Sequence, residues 1–135
     1  MIWLLDTNIL VYARNGVAPV VRRVDEAWEQ GEVVTSLVVV GELIYGAEKS
    51  MRRQENLAAV EQQLGMLDGI LPLTDGTVRL FGRLKAELER RGVIRQDADL
   101  HIAATAIEAG ATLVTNDRAL LDGTIPGLSV ENWAV

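Results

Sequence analysis

The stretch "MIWLLDTNILVYA" (residues 1–13) decides the fold. Residues 2–5 form a short apolar run, which is ended by Asp6, Thr7 and Asn8. A short continuous apolar run stopped by polar residues is typical of a strand that is buried on both faces of a parallel sheet. Asp6 would then lie at the carboxyl end of that strand, where open α/β sheets bind their ligands.

The rest of the chain alternates between strand-like and helix-like segments. Four further segments have the character of strands, the last of them at a sheet edge: "EVVTS" (32–36), "GILPL" (69–73), "TLVT" (112–115) and "LSVENW" (128–133). Between them, apolar residues recur at helical spacing, and Thr35 or Ser36 is suited to cap the helix that follows the second strand. The sequence therefore predicts an α/β fold with a mostly parallel central sheet and helices on both faces.

Length and composition limit the class of protein. The 135 residues, 49% hydrophobic and 24% charged, are enough for one compact domain spanning 1–135. Because the chain has no cysteine, it can form neither a disulfide nor a thiolate metal site, and a cytoplasmic location is expected. The first apolar run lacks a basic flank and contains Asp6, so we expect neither an export signal nor a membrane span.

The net charge of −6 argues against a polyanionic partner held by bulk electrostatics. Nucleic-acid binding would need a local source of positive charge. Eight arginines could contact RNA phosphate, although such charge runs are usually solvated: Arg14, Arg22, Arg23, Arg52, Arg53, Arg90, Arg91 and Arg95.

A metal ion bound by four acidic residues could supply that positive charge instead. Asp6 and Asp117 follow strands, whereas Glu42 and Asp99 lie on apolar faces of predicted helices. A carboxylate that faces a core is costly unless it is paired or binds a metal, and few basic residues stand nearby in sequence. With no cysteine and one histidine available, the set suits Mg²⁺ or Mn²⁺ rather than Zn²⁺.

Neighbouring residues have simpler interpretations. Thr7 and Asn8 could cap a helix that begins at Ile9, which is compatible with a role in the site. Asp97 suits a helix N-terminus better than a fifth ligand position, and His101 should face away from Asp99 toward the surface or a partner. Three tryptophans are expected in the core or at an interface: Trp3, Trp28 and Trp133.

Five blocks, in order along the chain, resemble the PIN-domain ribonucleases, specifically the VapC-type toxins of prokaryotic toxin–antitoxin pairs. The blocks are "LLDTNIL", "VVVGELIYGA", "DADLHIAATA", "TLVTND" and "IPGLSVENW". The resemblance makes Asp6, Glu42, Asp99 and Asp117 the catalytic, metal-binding quartet. It places Thr7 and Asn8 beside the metal, with Thr115 and Asn116 supporting Asp117 and the substrate phosphate.

The resemblance implies an endoribonuclease that hydrolyses RNA phosphodiester bonds with Mg²⁺ or Mn²⁺. It also implies a homodimer and a cognate VapB-type antitoxin whose tail lies in a groove near the site. The alternative is a catalytically silent PIN module that binds RNA or a protein partner. An aspartyl phosphohydrolase is disfavoured because Asn8 stands where its second acid would be, and no G-x-G-x-x-G follows the first strand to indicate dinucleotide binding.

Overall fold

The computed structural model describes residues 1–135, which form a five-stranded, wholly parallel sheet in the order β3-β2-β1-β4-β5. The strands are β1 (Ile2–Leu5), β2 (Glu32–Ser36), β3 (Gly69–Leu71), β4 (Thr112–Val114) and β5 (Val130–Glu131). The helices are α1 (Thr7–Arg14), α2 (Ala18–Gln30), α3 (Leu37–Glu48), α4 (Arg53–Met66), α5 (Asp75–Arg90), α6 (Asp97–Glu108) and α7 (Arg118–Leu121). The predicted α/β fold with a parallel sheet is confirmed.

The strand order reverses direction at β1. The chain builds outward from β1 through β2 to β3, then returns to place β4 and β5 on the other side. In β1, Trp3 is in register with Val33 on one side and with Thr112 on the other. A reversal of this kind leaves a crevice at the carboxyl ends of the two strands beside it, and Asp6 and Thr115 stand at those ends of β1 and β4.

Side-chain caps set the starts of several helices. Ser36 caps α3 as expected, because its Oγ accepts the backbone N–H of Val39 at 3.2 Å. The helix after β1 begins two residues earlier than predicted. Thr7 and Asn8 lie inside its first turn, and Asp6 itself is the N-cap, with an extended backbone and Oδ1 accepting the Thr7 N–H at 2.8 Å.

Two expectations near the start of α6 need correction. Asp97 lies at the N-terminus of this helix, as expected, but it is the first helical residue and not the cap: Gln96 is the N-cap, and the Asp97 carboxylate accepts a 2.8 Å hydrogen bond from Lys85. The prediction that His101 reaches the surface is wrong. Its ring is partly buried and stacks on Phe81 of α5, with centroids 3.8 Å apart and planes 8° from parallel, because α5 packs along α6.

One apolar cluster forms the core between the sheet and the helices. Trp3 and Trp133 are both buried in it and lie 6.4 Å apart between ring centroids, which confirms the expectation of a core position for these two. Trp28 is partly buried against the same cluster. None of the helices combines the length and the apolar character that crossing a membrane requires.

Candidate active site

Asp6 and Asp117 are joined through the hydroxyl of a buried threonine. Thr115 donates from Oγ1 to Oδ2 of Asp6 at 2.7 Å, and the same oxygen accepts the backbone N–H of Asp117 at 3.0 Å. The backbone also links the two strand ends, since the Asp6 N–H donates to the Val114 carbonyl at 2.9 Å. The parallel pairing of β1 and β4 thus fixes the relation between the first and the last acid.

Asp117 is held locally as a helix cap. Its side chain accepts the N–H of Ala119 at 2.9 Å, and its own carbonyl accepts the N–H groups of Leu120 and Leu121 at the start of α7. These bonds fix the orientation of the carboxylate, and its charge acts on both Asp99 and Asp6.

Glu42 reaches the site from the second turn of α3. The Thr7 hydroxyl donates to Oε1 of Glu42 at 2.6 Å, which joins the first turn of α1 to α3. Thr7 therefore lies beside two of the predicted acids, since its backbone N–H donates to Asp6 and its hydroxyl to Glu42. The expected position of Thr7 in the site matches this geometry.

Asp99 experiences the strongest electrostatic effect. It lies in the first turn of α6, and burial, followed by the negative charges of Asp117 and Asp6, raises its pKa to about 7. A hydrogen bond shared with Asp117 and the charge of Glu42 act in the same direction. All four predicted acids therefore interact at one place in the fold.

Burial also raises the pKa of Asp6, which is 8% exposed. The hydrogen bonds from Thr115 and Thr7 oppose this effect, while the charges of Glu42 and Asp117 add to it. Four acids that repel one another, with no arginine or lysine paired to any of them, leave negative charge that a cation would compensate.

The donor set suits a hard ion that keeps part of its hydration shell. The structure brings no three acidic or histidine side chains into a single group able to hold a metal ion. Mg²⁺ is commonly held by one or two carboxylates and several waters rather than by a complete protein cage. Oxygen ligands with mutual repulsion, and no sulfur or imidazole among them, fit Mg²⁺ or Mn²⁺ on that basis.

A chain of amide and phenol groups lies along one side of the acids. Asn8 donates from Nδ2 to Oδ1 of Asn116 at 3.4 Å, and Asn116 donates to the hydroxyl of Tyr12 at 3.0 Å. The predicted pair Asn8 and Asn116 is thus brought together. Sequence reasoning did not identify Tyr12, although its place one helical turn after Asn8 could have suggested it.

Most of the arginines that were candidates for RNA contact have partners within the protein. Those in ion pairs are Arg23, Arg52, Arg53 and Arg95. Arg14 donates to Gln63 at 3.3 Å and Arg91 to the Thr124 carbonyl at 2.8 Å. Arg22 and Arg90 form no ion pair, and both are exposed.

The family model and the related sequences all point to one protein family. The family model for the PIN domain matches residues 3–123. The chain is 36% identical over 134 residues to a protein of Rickettsia felis named ribonuclease VapC2, with 98% of each chain covered. It is 35% identical to a protein of Shigella flexneri named tRNA(fMet)-specific endonuclease VapC, again with 98% of each covered.

Solved structures agree with the fold and the topology. The Rickettsia felis VapBC2 complex, bound to a DNA fragment from its promoter, contains a chain with a TM-score of 0.90, 35% identity, and coverage of 98% of this chain and 99% of that one. DNA-bound VapBC of Salmonella typhimurium gives a TM-score of 0.88 at 30% identity, with 98% of each chain covered. The match over almost the whole length, with the acids gathered beside β1, shows that the chain belongs to the PIN-domain family, as a ribonuclease of the VapC type.

Proposed function

We propose that the protein is the endoribonuclease toxin of a two-component toxin–antitoxin module, and that it hydrolyses RNA phosphodiester bonds with Mg²⁺ or Mn²⁺. The observation that carries this proposal is the convergence of Asp6, Glu42, Asp99 and Asp117, drawn from four separate elements, on the crevice beside β1. Relatives that share its length and fold are named as ribonucleases. A purely structural role would not require four mutually repelling carboxylates.

In this proposal the acidic quartet would hold the divalent ion, one or two carboxylates directly and the others through its waters, and the ion would supply Lewis-acid charge at the scissile phosphate. The side chains around them perform other tasks. Thr115 orients Asp6 and Thr7 orients Glu42 through hydroxyl donors, so both carboxylates present defined oxygens to the crevice. Asp99 can hold a proton at one carboxyl oxygen near neutral pH until a cation compensates its neighbours.

The amide groups of Asn8 and Asn116 are suited to the substrate rather than to the ion. They are neutral donors at the rim of the acidic crevice, and Asn8 is exposed. An RNA phosphate can accept hydrogen bonds from such groups without adding charge to the site. We therefore assign them to substrate contact.

Cleavage of RNA by the purified chain tests the proposal directly. Transfer RNA is the first substrate to use, because the Shigella flexneri relative is named for it. We expect fragments with 5′-phosphate ends in Mg²⁺ or Mn²⁺, and no cleavage in EDTA. The Asp99→Asn variant should lose activity by more than roughly 100-fold, since even residues that only support metal ligands cost about 10- to 100-fold.

The matched control for Asp99→Asn is Asp75→Asn, an exposed acid on α5 that pairs only with Arg79. It should cleave as the wild type does. RNA binding without cleavage in every metal would favour the silent PIN module instead. Full activity in Asp99→Asn would exclude the acidic quartet as the metal site.

A VapB-type antitoxin is the expected partner, since the related structures are VapBC complexes. A groove of about 390 Å³ offers a surface for an apolar segment of it, and nine of its thirteen lining residues are hydrophobic. The groove lies among α1, α2 and α4 and reaches Leu5, the residue directly before Asp6. Trp28 lines this groove. Trp28→Ser should weaken antitoxin binding in calorimetry without changing RNA cleavage by the free toxin. Unchanged affinity would exclude the groove as the antitoxin-binding surface.

The proposal also includes a homodimer and a cytoplasmic location, where RNA substrates are found. Leu37 and Tyr45 on α3 are 49% and 65% exposed, which is unusual for side chains of their size and leaves an apolar face for a second copy. Sedimentation at micromolar concentration should give twice the 14.7 kDa of the chain. Replacing Tyr45 with Ser should shift the distribution toward the monomer, and a wild-type monomer would exclude the dimer.

A further inference from the structure

The side chain of Arg95 joins the loop before α6 to α7 and to the turn that follows α7. Its Nε donates to the Ala119 carbonyl at 3.0 Å and its Nη1 to the Ile94 carbonyl at 2.9 Å. Its Nη2 donates to Asp122, and also to the Thr124 hydroxyl at 3.3 Å. Only 17% of this side chain is exposed, so the guanidinium is largely committed to these partners.

Helix α7, which Arg95 holds, begins directly after Asp117. Helix α7 has four residues, of which only Leu120 is buried, so apolar packing alone gives it little support. Asp117 caps the N-terminal end of this helix and Asp122 terminates it. By binding Ala119 and Asp122 together, Arg95 fixes the short helix along its length.

A second arginine and a local turn strengthen the same segment. Arg91 donates to the Thr124 carbonyl at 2.8 Å. Asp122 accepts the backbone N–H of Thr124 at 3.0 Å and its hydroxyl at 2.6 Å. The acceptors that Arg95 and Arg91 use on this segment therefore belong to one ordered turn rather than to independent mobile groups.

The other end of the Arg95 connection leads to Asp99. Arg95 immediately precedes Gln96, the N-cap of α6, whose carbonyl accepts the N–H of Leu100 at 3.1 Å. Asp99 lies in that first turn, four positions after Arg95. Arg95 thus ties the turn that carries Asp99 to the helix that Asp117 caps, without touching either carboxylate.

We propose that Arg95 is a positioning residue that sets the spacing between Asp99 and Asp117, and thereby the affinity of the site for its divalent ion. This inference rests on the proposed function. It assigns Arg95 to the inside of the protein rather than to RNA phosphate. A planar guanidinium with several donors can serve two carbonyls, a carboxylate and a hydroxyl at once, which the single ammonium of a lysine cannot.

The test is titration of Mn²⁺ into the RNA-free protein by calorimetry, with Arg95→Lys and Asp122→Asn compared with the wild type. We expect both variants to bind Mn²⁺ roughly 10-fold more weakly, the size of effect typical for groups that orient metal ligands. The matched control is Arg79→Gln, which removes an exposed arginine that pairs only with Asp75 and should bind as the wild type does. Thermal unfolding checks that each variant is folded.

Cleavage assays at increasing Mn²⁺ supply a readout that general destabilisation would not produce. The variants should need about 10-fold more Mn²⁺ for half-maximal rate and should approach the wild-type rate at saturation. Unchanged Mn²⁺ affinity with a raised KM for RNA would overturn the proposal and make Arg95 an RNA contact. If the wild type cleaves RNA and binds Mn²⁺, and the folded variants match it in Mn²⁺ affinity, the positioning role alone is overturned. If the wild type neither cleaves RNA nor binds Mn²⁺, the proposed function is overturned as well.

Discussion

The hydroxyl of Thr115 donates to Asp6 at 2.7 Å across 109 positions of sequence, and it accepts the N–H of Asp117 at 3.0 Å. One fully buried oxygen therefore connects two acids of the site and the ends of β1 and β4. Its removal should affect both stability and catalysis.

Thr115→Val keeps the shape of the side chain but removes the hydroxyl. The N–H of Asp117 and one oxygen of Asp6 then lose their partner, so we expect the free energy of unfolding to fall by about 1–3 kcal/mol. RNA cleavage should fall as well, because Asp6 loses its orientation. Urea denaturation and initial cleavage rates measure the two effects. Thr115→Ser, which retains the hydroxyl, should be much closer to the wild type, and equal behaviour of the two variants would contradict the role of the oxygen.

The metal-free protein should become less stable as pH rises from about 4 to about 7, through the contribution of Asp99. Its pKa is about 7 in the folded protein against an ordinary 3.8, so the folded state binds more protons than the unfolded state between these values. Stability falls with increasing pH wherever the folded state binds the extra proton. Asp122, whose pKa is lowered by its hydrogen bonds to Thr124, acts in the opposite direction, so a difference measurement is needed.

That measurement compares the wild type with Asp99→Asn by urea denaturation in EDTA at several pH values. Asparagine has no carboxyl group to ionise, so the variant lacks the loss of stability that ionisation of Asp99 causes in the wild type. The stability of the variant relative to the wild type should therefore increase from pH 4 to pH 7. A difference that stays constant across this range would show that Asp99 titrates normally.

Tyr12 should act on the substrate through Asn116. Its hydroxyl accepts the Asn116 amide at 3.0 Å, and loss of one such hydrogen bond is worth about 1 kcal/mol. In Tyr12→Phe the amide is free to rotate, so KM for RNA should rise several-fold while Mn²⁺ binding is unchanged. Steady-state kinetics and calorimetry on the same preparation separate these effects; a change in Mn²⁺ affinity would place Tyr12 in the support of the acids instead.

Two glycines, Gly31 directly before β2 and Gly82 inside α5, differ in the space available for a side chain. A Cβ at Gly31 would lie 2.2 Å from the carbonyl oxygen of Met1, so Gly31→Ala must displace the backbone at the start of β1. We expect a loss of about 1–3 kcal/mol of stability, as for other overpacked positions. Gly82 lies inside α5 with open space around it, and Gly82→Ala should stabilise by about 0.5–1 kcal/mol. Thermal unfolding of the two variants should shift in opposite directions, and shifts of the same sign would contradict this account.

Local patterns in the sequence predict the parallel sheet and single out the four acids, because strand character, a carboxylate after a strand and a carboxylate on an apolar helix face are properties of neighbouring residues. The start of α1 differs from the prediction because Asp6 both ends β1 and caps the helix, which leaves no separate cap residue. The stacking of His101 on Phe81 depends on how α5 packs along α6. The contacts of Arg95 depend on where α7 and the turn after it lie relative to the start of α6. No periodicity within one segment encodes such contacts.

The position of β1 between β2 and β4 has a consequence for the timing of activity during synthesis. Asp6 precedes its partner Thr115 by 109 positions, and the fourth acid Asp117 follows Thr115, so Asp6 is synthesised well before either of them. A nascent chain can pair β1 with β2 early, but the β4 side of the crevice is not yet present. A ribosome translating this protein therefore carries an incomplete nuclease until β4 and Asp117 have emerged.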